Sequence, residues 1–181
     1  MLGLLREYLE WGGYPEVVLE QRLRRNILKE ILDATIYRDV VERWKVSNLK
    51  AFRLLLHFLA KSSHTSATKL HKTMKSLGID AGKGTIINYV EYLSDAMILF
   101  PLRAFEKSEK KKELLGFKPY FVDTGLLTVQ GVSDMGRLLE NLVFVELLKR
   151  GFEPNGDFFY YRTLSGREVD FLIPGKKSSF R

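Results

Sequence analysis

Residues 63–123 constrain the fold of this chain more than any other stretch. In SATKLHKTMKSLG, Ser66 is suited to cap a short helix and Gly78 to stop it. IDAGKG then reads as a turn. TIINYVEYLSDAMIL follows as a second helix, with Ile86, Tyr89, Val90, Leu93 and Met97 at helical spacing. Two helices of this size joined by a tight turn read as a helix-turn-helix. Next come a strand, MILFPLRAF, a charged tip, EKSEKKKELLG, and a second strand, FKPYFVD. A β-hairpin behind the second helix gives the element order of a winged helix.

The flanks are expected to be helical before this block and mixed after it. Leu2 to Trp11 reads as a short helix stopped by Gly12, Gly13 and Pro15. A long helical region is expected from about Glu20 to Lys45, with Leu23, Ile27, Ile31, Ala34 and Val41 as its apolar stripe. Ser47-Asn48 offers an N-cap for a further helix that buries Phe52, Leu55, Leu56 and Leu59. Beyond Asp123, TGLLTVQGVSD is a short helix or a loop, and Met135 to Arg150 is an apolar helix ended by Gly151. DFFYYRTL and REVDFLI form a hairpin around Ser165-Gly166. The expected class is α+β: an N-terminal helical region over 1–62, a winged helix-turn-helix over 63–123 and a partial αβ portion over 124–181.

Composition narrows the chemistry. The absence of cysteine excludes disulfides, thiolate metal sites and cysteine nucleophiles, and a reducing cytoplasm is the natural compartment. No apolar run approaches the ~18 residues of a membrane span, so no membrane partner is expected. No G-x-x-x-x-G-K-[ST] segment is present, so ATP is not expected to be bound or hydrolysed. No cofactor is expected to be required.

A formal charge of +7 favours a polyanionic partner. Lys69, Lys72, Lys75 and Lys83 fall on the polar side of the helix pair, and Lys107, Lys110, Lys111 and Lys112 at the hairpin tip. The expected partner is duplex DNA, with Thr85, Asn88 and Lys83 at the leading end of the second helix near the major groove. The wing lysines would touch phosphates. The bland alternative is a solvated surface on a protein-interaction module, and Glu106, Glu109 and Glu113 dilute the charge of the tip.

Glu140 and Asp170 are a second constellation. Glu140 interrupts an apolar helix, where a carboxylate needs a cationic partner or a metal. Together the two could hold Mg²⁺, which prefers oxygen ligands, and Glu168 shares a strand face with Asp170. Alternatively they pair with basic neighbours such as Arg162 or Arg167. An unpaired sheet edge near Phe171 invites strand pairing between chains, and with it a homodimer.

Several stretches in order (YLEWGGYPEVV, DATIYRDVVERWKV, TIINYVEYLSDAMILF, PYFVDTGLL, GRLLENLVFVELLKRG and YYRTLSGREVDFLI) resemble the C-terminal half of archaeal-type AAA+ P-loop ATPases. The resemblance spans roughly Leu5 to Ile173. It implies a winged helix followed by a portion of the PD-(D/E)xK, restriction-endonuclease-like fold. Glu140 would match that family's helix glutamate and Asp170 its strand aspartate. It also implies an ATPase module before Met1 and a Glu- or Gln-x-Lys strand after Ile173, where Lys176 and Lys177 follow Pro174-Gly175 instead. On this view the chain is a truncated or split member. The expected function is a non-catalytic DNA-binding accessory module. The alternatives are a Mg²⁺-dependent nuclease remnant and an adaptor that docks an ATPase or other protein partner through the winged helix.

Overall fold

The computed structural model describes residues 2–163 and 165–175, so Lys176 and Lys177 lie outside the described residues. The architecture is mixed, with helices packed around two small antiparallel hairpins, an α+β arrangement. Helix α1 (Leu2–Trp11) ends at Gly12, whose φ is +77°. Pro15 does not close a helix. It opens one, occupying the first turn of α2 (Pro15–Leu19), where its missing N–H is no loss.

The expected continuous helix from Glu20 to Lys45 is broken. Arg24 starts α3 (Arg24–Thr35), folds back to donate from Nε to the Val17 carbonyl at 3.0 Å, and ion-pairs with Glu7. From Ile36–Glu42 the helix widens into a π-helical segment. The stripe is also shifted by one residue. Leu28, Leu32, Ile36 and Val40 are buried, while Leu23 and Ala34 are exposed and Ile27, Ile31 and Val41 only flank the core. A row at steps of four overshoots an α-helical turn by about 40° per step. The wider i→i+5 turns counter that drift and keep Ile36 and Val40 inward.

Helix α4 (Leu49–Lys61) is capped by Asn48, whose Oδ1 accepts from Ala51 N at 2.9 Å, and it buries Phe52, Leu55, Leu56 and Leu59. Helix α5 (Ala67–Ser76) is capped by Ser66, with Gly78 in the left-handed region just beyond it. Helix α6 (Lys83–Asp95) starts earlier than expected, so Lys83 lies on the helix, not in the turn. It buries Ile86, Tyr89, Val90 and Leu93. Met97 does not continue the stripe; it sits past the helix end at φ +54°, exposed.

Strands β1 (Leu99–Arg103) and β2 (Phe117–Phe121) pair antiparallel, Leu99 opposite Phe121. Their connection is not an open tip but a helix, α7 (Glu109–Leu115), with Ser108 as its cap. Gly116 closes it at φ +73°, where a Cβ would strike the Thr65 carbonyl. Thr65 in turn pairs with Phe117 in both directions, at 2.9 and 2.8 Å. Helix α8 (Thr124–Val129) and the long α9 (Met135–Lys149) follow. A second hairpin, β3 (Phe159–Arg162) with β4 (Glu168–Leu172), joins the first through the Phe105 amide and the Tyr160 carbonyl, 2.7 Å apart.

Two apolar cores result. One runs from Leu9 in α1 through α3–α6 to Leu127 in α8 and Leu138 in α9. The other is smaller and aromatic, made by Leu102, Ala104, Tyr120, Phe144, Phe158 and Tyr160, with Tyr120 stacked on Phe144 at 4.6 Å. A polar clasp links the chain's beginning to α8. Asp123 accepts from Gly13 N at 2.8 Å and, as the α8 cap, from Gly125 N at 2.7 Å. A Cβ at Gly12 would overlap the same carboxylate.

Candidate nucleic-acid interface and a lysine-held carboxylate cluster

Lys69, Lys72 and Lys75 follow one another at steps of three along α5, and all three are exposed. Lys83, Thr85 and Asn88 are exposed on the first turns of α6, whose opposite side is in the core. Among the described residues, none of Lys69, Lys72, Lys75 or Lys83 lies within salt-bridge distance of a carboxylate. Lys83 also lines a cleft of about 120 Å³ with Arg103, Lys112, Glu91 and Glu113.

The lysines between the strands behave differently. Lys110 and Lys111 are exposed on α7, but Lys111 approaches Glu106 at 4.0 Å. Lys112 is half-buried and bonds Glu109 at 2.7 Å, holding that carboxyl below its usual range. Lys107 is exposed, ahead of α7. The helix pair thus carries uncompensated charge, while the segment joining β1 to β2 is partly self-neutralised.

Glu140 and Asp170 do come together, through a residue that the sequence did not single out. Lys118 on β2 is 2 % exposed. Its Nζ lies 2.5 Å from Asp170 Oδ1, 2.8 Å from Glu140 Oε1 and 3.0 Å from Glu168 Oε1. Arg162 and Arg167, the basic neighbours considered from sequence, make no ion pair with these carboxylates. The alternation of a strand explains the geometry. Lys118 and Tyr120 share one face of β2, and Glu168 and Asp170 share one face of β4. Helix α9 supplies Glu140, which also accepts from the Tyr120 hydroxyl at 2.5 Å.

The electrostatics follow from burial. Desolvation alone would lower the Lys118 pKa, but its hydrogen bonds to Asp170, Glu140 and Glu168 outweigh this and hold it above 10.5. Burial, then Glu140, pushes the Tyr120 phenol upward. One helical step back, Arg137 is buried over the Tyr120 ring at 5.3 Å and bonds the Pro119 carbonyl. Its Nη1 is 3.8 Å from Glu140 Oε1, and burial lowers its pKa. Asn141, fully buried, receives the Phe121 amide at 2.8 Å and donates to the Phe121 carbonyl at 2.9 Å. It completes the end of β2 in place of a neighbouring strand.

Three carboxylates are the right donors for an oxygen-seeking cation. Here their inner oxygens already converge on an ammonium, so a divalent ion does not fit unless Lys118 withdraws. Among the described residues, no group of three or more His, Cys, Asp and Glu side chains is arranged to hold a metal. The lone lysine within FKPYFVD was the signal for this cluster, since a buried strand lysine requires carboxylate partners.

An uncharacterized protein of Methanocaldococcus jannaschii, MJ1544, is 38% identical over 97% of this chain and 40% of its own length. A second from that organism, MJ1637, is 31% identical over 97% of this chain and 41% of its own. An uncharacterized protein of Haemophilus influenzae is 28% identical over 93% of this chain and 42% of its own. The chain therefore spans about two fifths of the length of the curated relatives it matches. No solved structure matches. Among the described residues, no helix is long and apolar enough to cross a membrane. Residues 135–180 match a Domain of unknown function (DUF4143), often found at the C-terminus of AAA-ATPase-like proteins. Residues 2–136, most of the chain, match a Domain of unknown function (DUF8612), and to that family the chain belongs.

Proposed function

We propose that the chain is a non-catalytic, DNA-binding accessory module of an ATPase-like protein. In this reading α5 and α6 are a helix-turn-helix, and the β1–α7–β2 unit is its wing. The observation that carries it is the set of four exposed lysines on α5 and α6 without carboxylate partners among the described residues. Thr85 and Asn88 are the side chains at the leading end of α6, the end that would enter the groove. The polar side of α6 then turns acidic with Glu91 and Asp95, which favours phosphate contact over extended base readout.

Lys118 supports the non-catalytic part. A buried ammonium supplies the positive charge that Glu140, Glu168 and Asp170 need, so the cluster reads as a structural peg. The nuclease alternative requires Mg²⁺ to displace Lys118. The expected result is no Mg²⁺-dependent nicking of supercoiled plasmid; nicking abolished by Asp170→Ala would establish the alternative instead.

Fluorescence anisotropy with a random-sequence duplex tests the binding. Four lysine–phosphate contacts predict an affinity loss of roughly a hundredfold between 50 and 200 mM salt. Charge reversal at Lys72 and Lys75 together should weaken binding tenfold or more. Binding indifferent to salt and to both lysines would remove the reading and leave the protein-adaptor alternative.

A further inference from the structure

The indole of Trp44 lies at the surface beside α6. Tryptophan is highly buried on average, yet Trp44 is 36 % exposed. Its ring stacks on Tyr92, with centroids 4.5 Å apart and planes 10° from parallel. The Arg43 guanidinium carbon lies 5.1 Å from the centroid of the same indole. Tyr92 also packs against the core, so the stack is held in place. Lys45, at φ +51°, ends the helical run straight after Trp44. Arg43 and Lys45 are exposed, and among the described residues neither has a carboxylate within salt-bridge distance. Residues 43–50 contain Arg43, Lys45 and Lys50 and no acidic residue.

Helical geometry ties this stack to the leading end of α6. Tyr92 follows Thr85 by seven residues, which is two turns less about 20°. The two therefore share a side of the helix, about 10.5 Å apart along its axis. That distance is close to the rise of about three nucleotides in one strand. Glu91 and Asp95 are exposed on the part of α6 that faces away from the core, and their charge opposes the entry of that part into a duplex groove.

We propose that Trp44, with Arg43 and Lys45, is a stacking site for an unpaired nucleobase. The module then takes DNA in which a single strand runs on from the duplex held by α5 and α6. The inference rests on the DNA-binding reading of those helices. A base inside a duplex is stacked on both faces, and extruding it costs its stacking and pairing. An unpaired base has a free face, which it can lay on an aromatic ring or on a guanidinium plane. Here both are present side by side, and the phosphates flanking that base meet Arg43 and Lys45. Stacking of this kind tolerates any base, so the site selects for single-strandedness and not for sequence.

Fluorescence anisotropy tests this with a blunt duplex and with the same duplex carrying a short oligothymidine tail, at either the 3′ or the 5′ end. One tail should tighten binding about fivefold or more. It should also quench the tryptophan emission of Trp11→Phe, in which Trp44 is the one remaining indole. Trp44→Leu should bring the tailed duplex down to the level of the blunt one, while Trp44→Phe, which keeps a ring, retains part of the gain. If Trp44→Leu misfolds, Arg43→Ala should still cut the gain at least twofold. Equal affinity for blunt and tailed duplexes overturns the site, leaves the helix-pair reading standing and assigns Trp44 to a protein contact. A gain that survives both Trp44→Leu and Arg43→Ala overturns it too. Binding to neither duplex removes the underlying reading as well.

Discussion

The Lys118 ammonium and the Asp170 carboxylate, 52 residues apart in the chain, meet at 2.5 Å and tie the two hairpins together. Asp170 is itself half exposed, so the bond is shielded from one side only. Lys118, by contrast, is buried, with Glu140 and Glu168 also upon it.

Removing the lysine should therefore be far worse than removing one carboxylate. Lys118→Met leaves three carboxylates short of a cation, and breaking a buried pair in this way costs about 3–5 kcal/mol. Asp170→Asn, at the more exposed end, should cost about 1 kcal/mol or less. Chemical denaturation of the two variants checks the order. Equal losses would mean that the cluster is not organised around Lys118.

Alkaline pH should act through the same residue. Its folded pKa lies above the ordinary 10.5. The stabilisation is thus fully present below pH 10.5 and is lost as pH rises through the folded value. Burial raises the Tyr14 and Tyr160 phenols to about 12, and these lose their contribution in the same direction, starting near pH 10. Thermal melts from pH 9 upward should show a steeper decline in the wild type than in Lys118→Met. Parallel curves would contradict this.

The clasp between Gly13 and Asp123 predicts two equivalent lesions. Gly12→Ala forces a left-handed alanine, worth roughly 1–2 kcal/mol, and drives its methyl into Asp123, so the total should exceed 2 kcal/mol. Asp123→Ala strands the Gly13 and Gly125 amides and removes the α8 cap, for about 2–4 kcal/mol. Because both changes break one contact, the double variant should lose less than the sum. Full additivity in urea titrations would show the two sites to be independent.

Among the lysines, those on α5 and those between the strands should separate. Lys72→Gln should reduce the salt slope of DNA binding by about one and the affinity evenly across sequences. Lys112→Gln should do much less, since Glu109 already neutralises Lys112. A larger effect at Lys112 would move the contact surface toward the cleft it shares with Lys83.

Local signals proved readable where chain chemistry acts over a few residues. The Asn48 and Ser66 caps, the stops at Gly78 and Gly151, and the hairpin turn at Gly166 all fall where the side chains place them. The long N-terminal helix misled because its break depends on Arg24 reaching back to Val17 and Glu7, a contact that no local pattern encodes. The segment between β1 and β2 misled for the opposite reason. EKKKELL was weighed by its charge, yet its Ser108 cap and its Glu109–Lys112 pair are ordinary helix signals. Glu140 and Asp170 were visible as carboxylates needing a partner. The partner was not, because Lys118 lies on a different hairpin, and it takes both the packing of α9 against β2 and the join between the hairpins to bring the three elements together.

The clasp has a consequence for biosynthesis. Leu9 and Gly13 are made more than 100 residues before Leu127, which shares the core with Leu9, and the Asp123 carboxylate, which holds the Gly13 amide. At 5–20 residues per second that is a wait of roughly 6–20 s. For that interval the opening helix has no home of its own, and chaperones have their best chance to hold it.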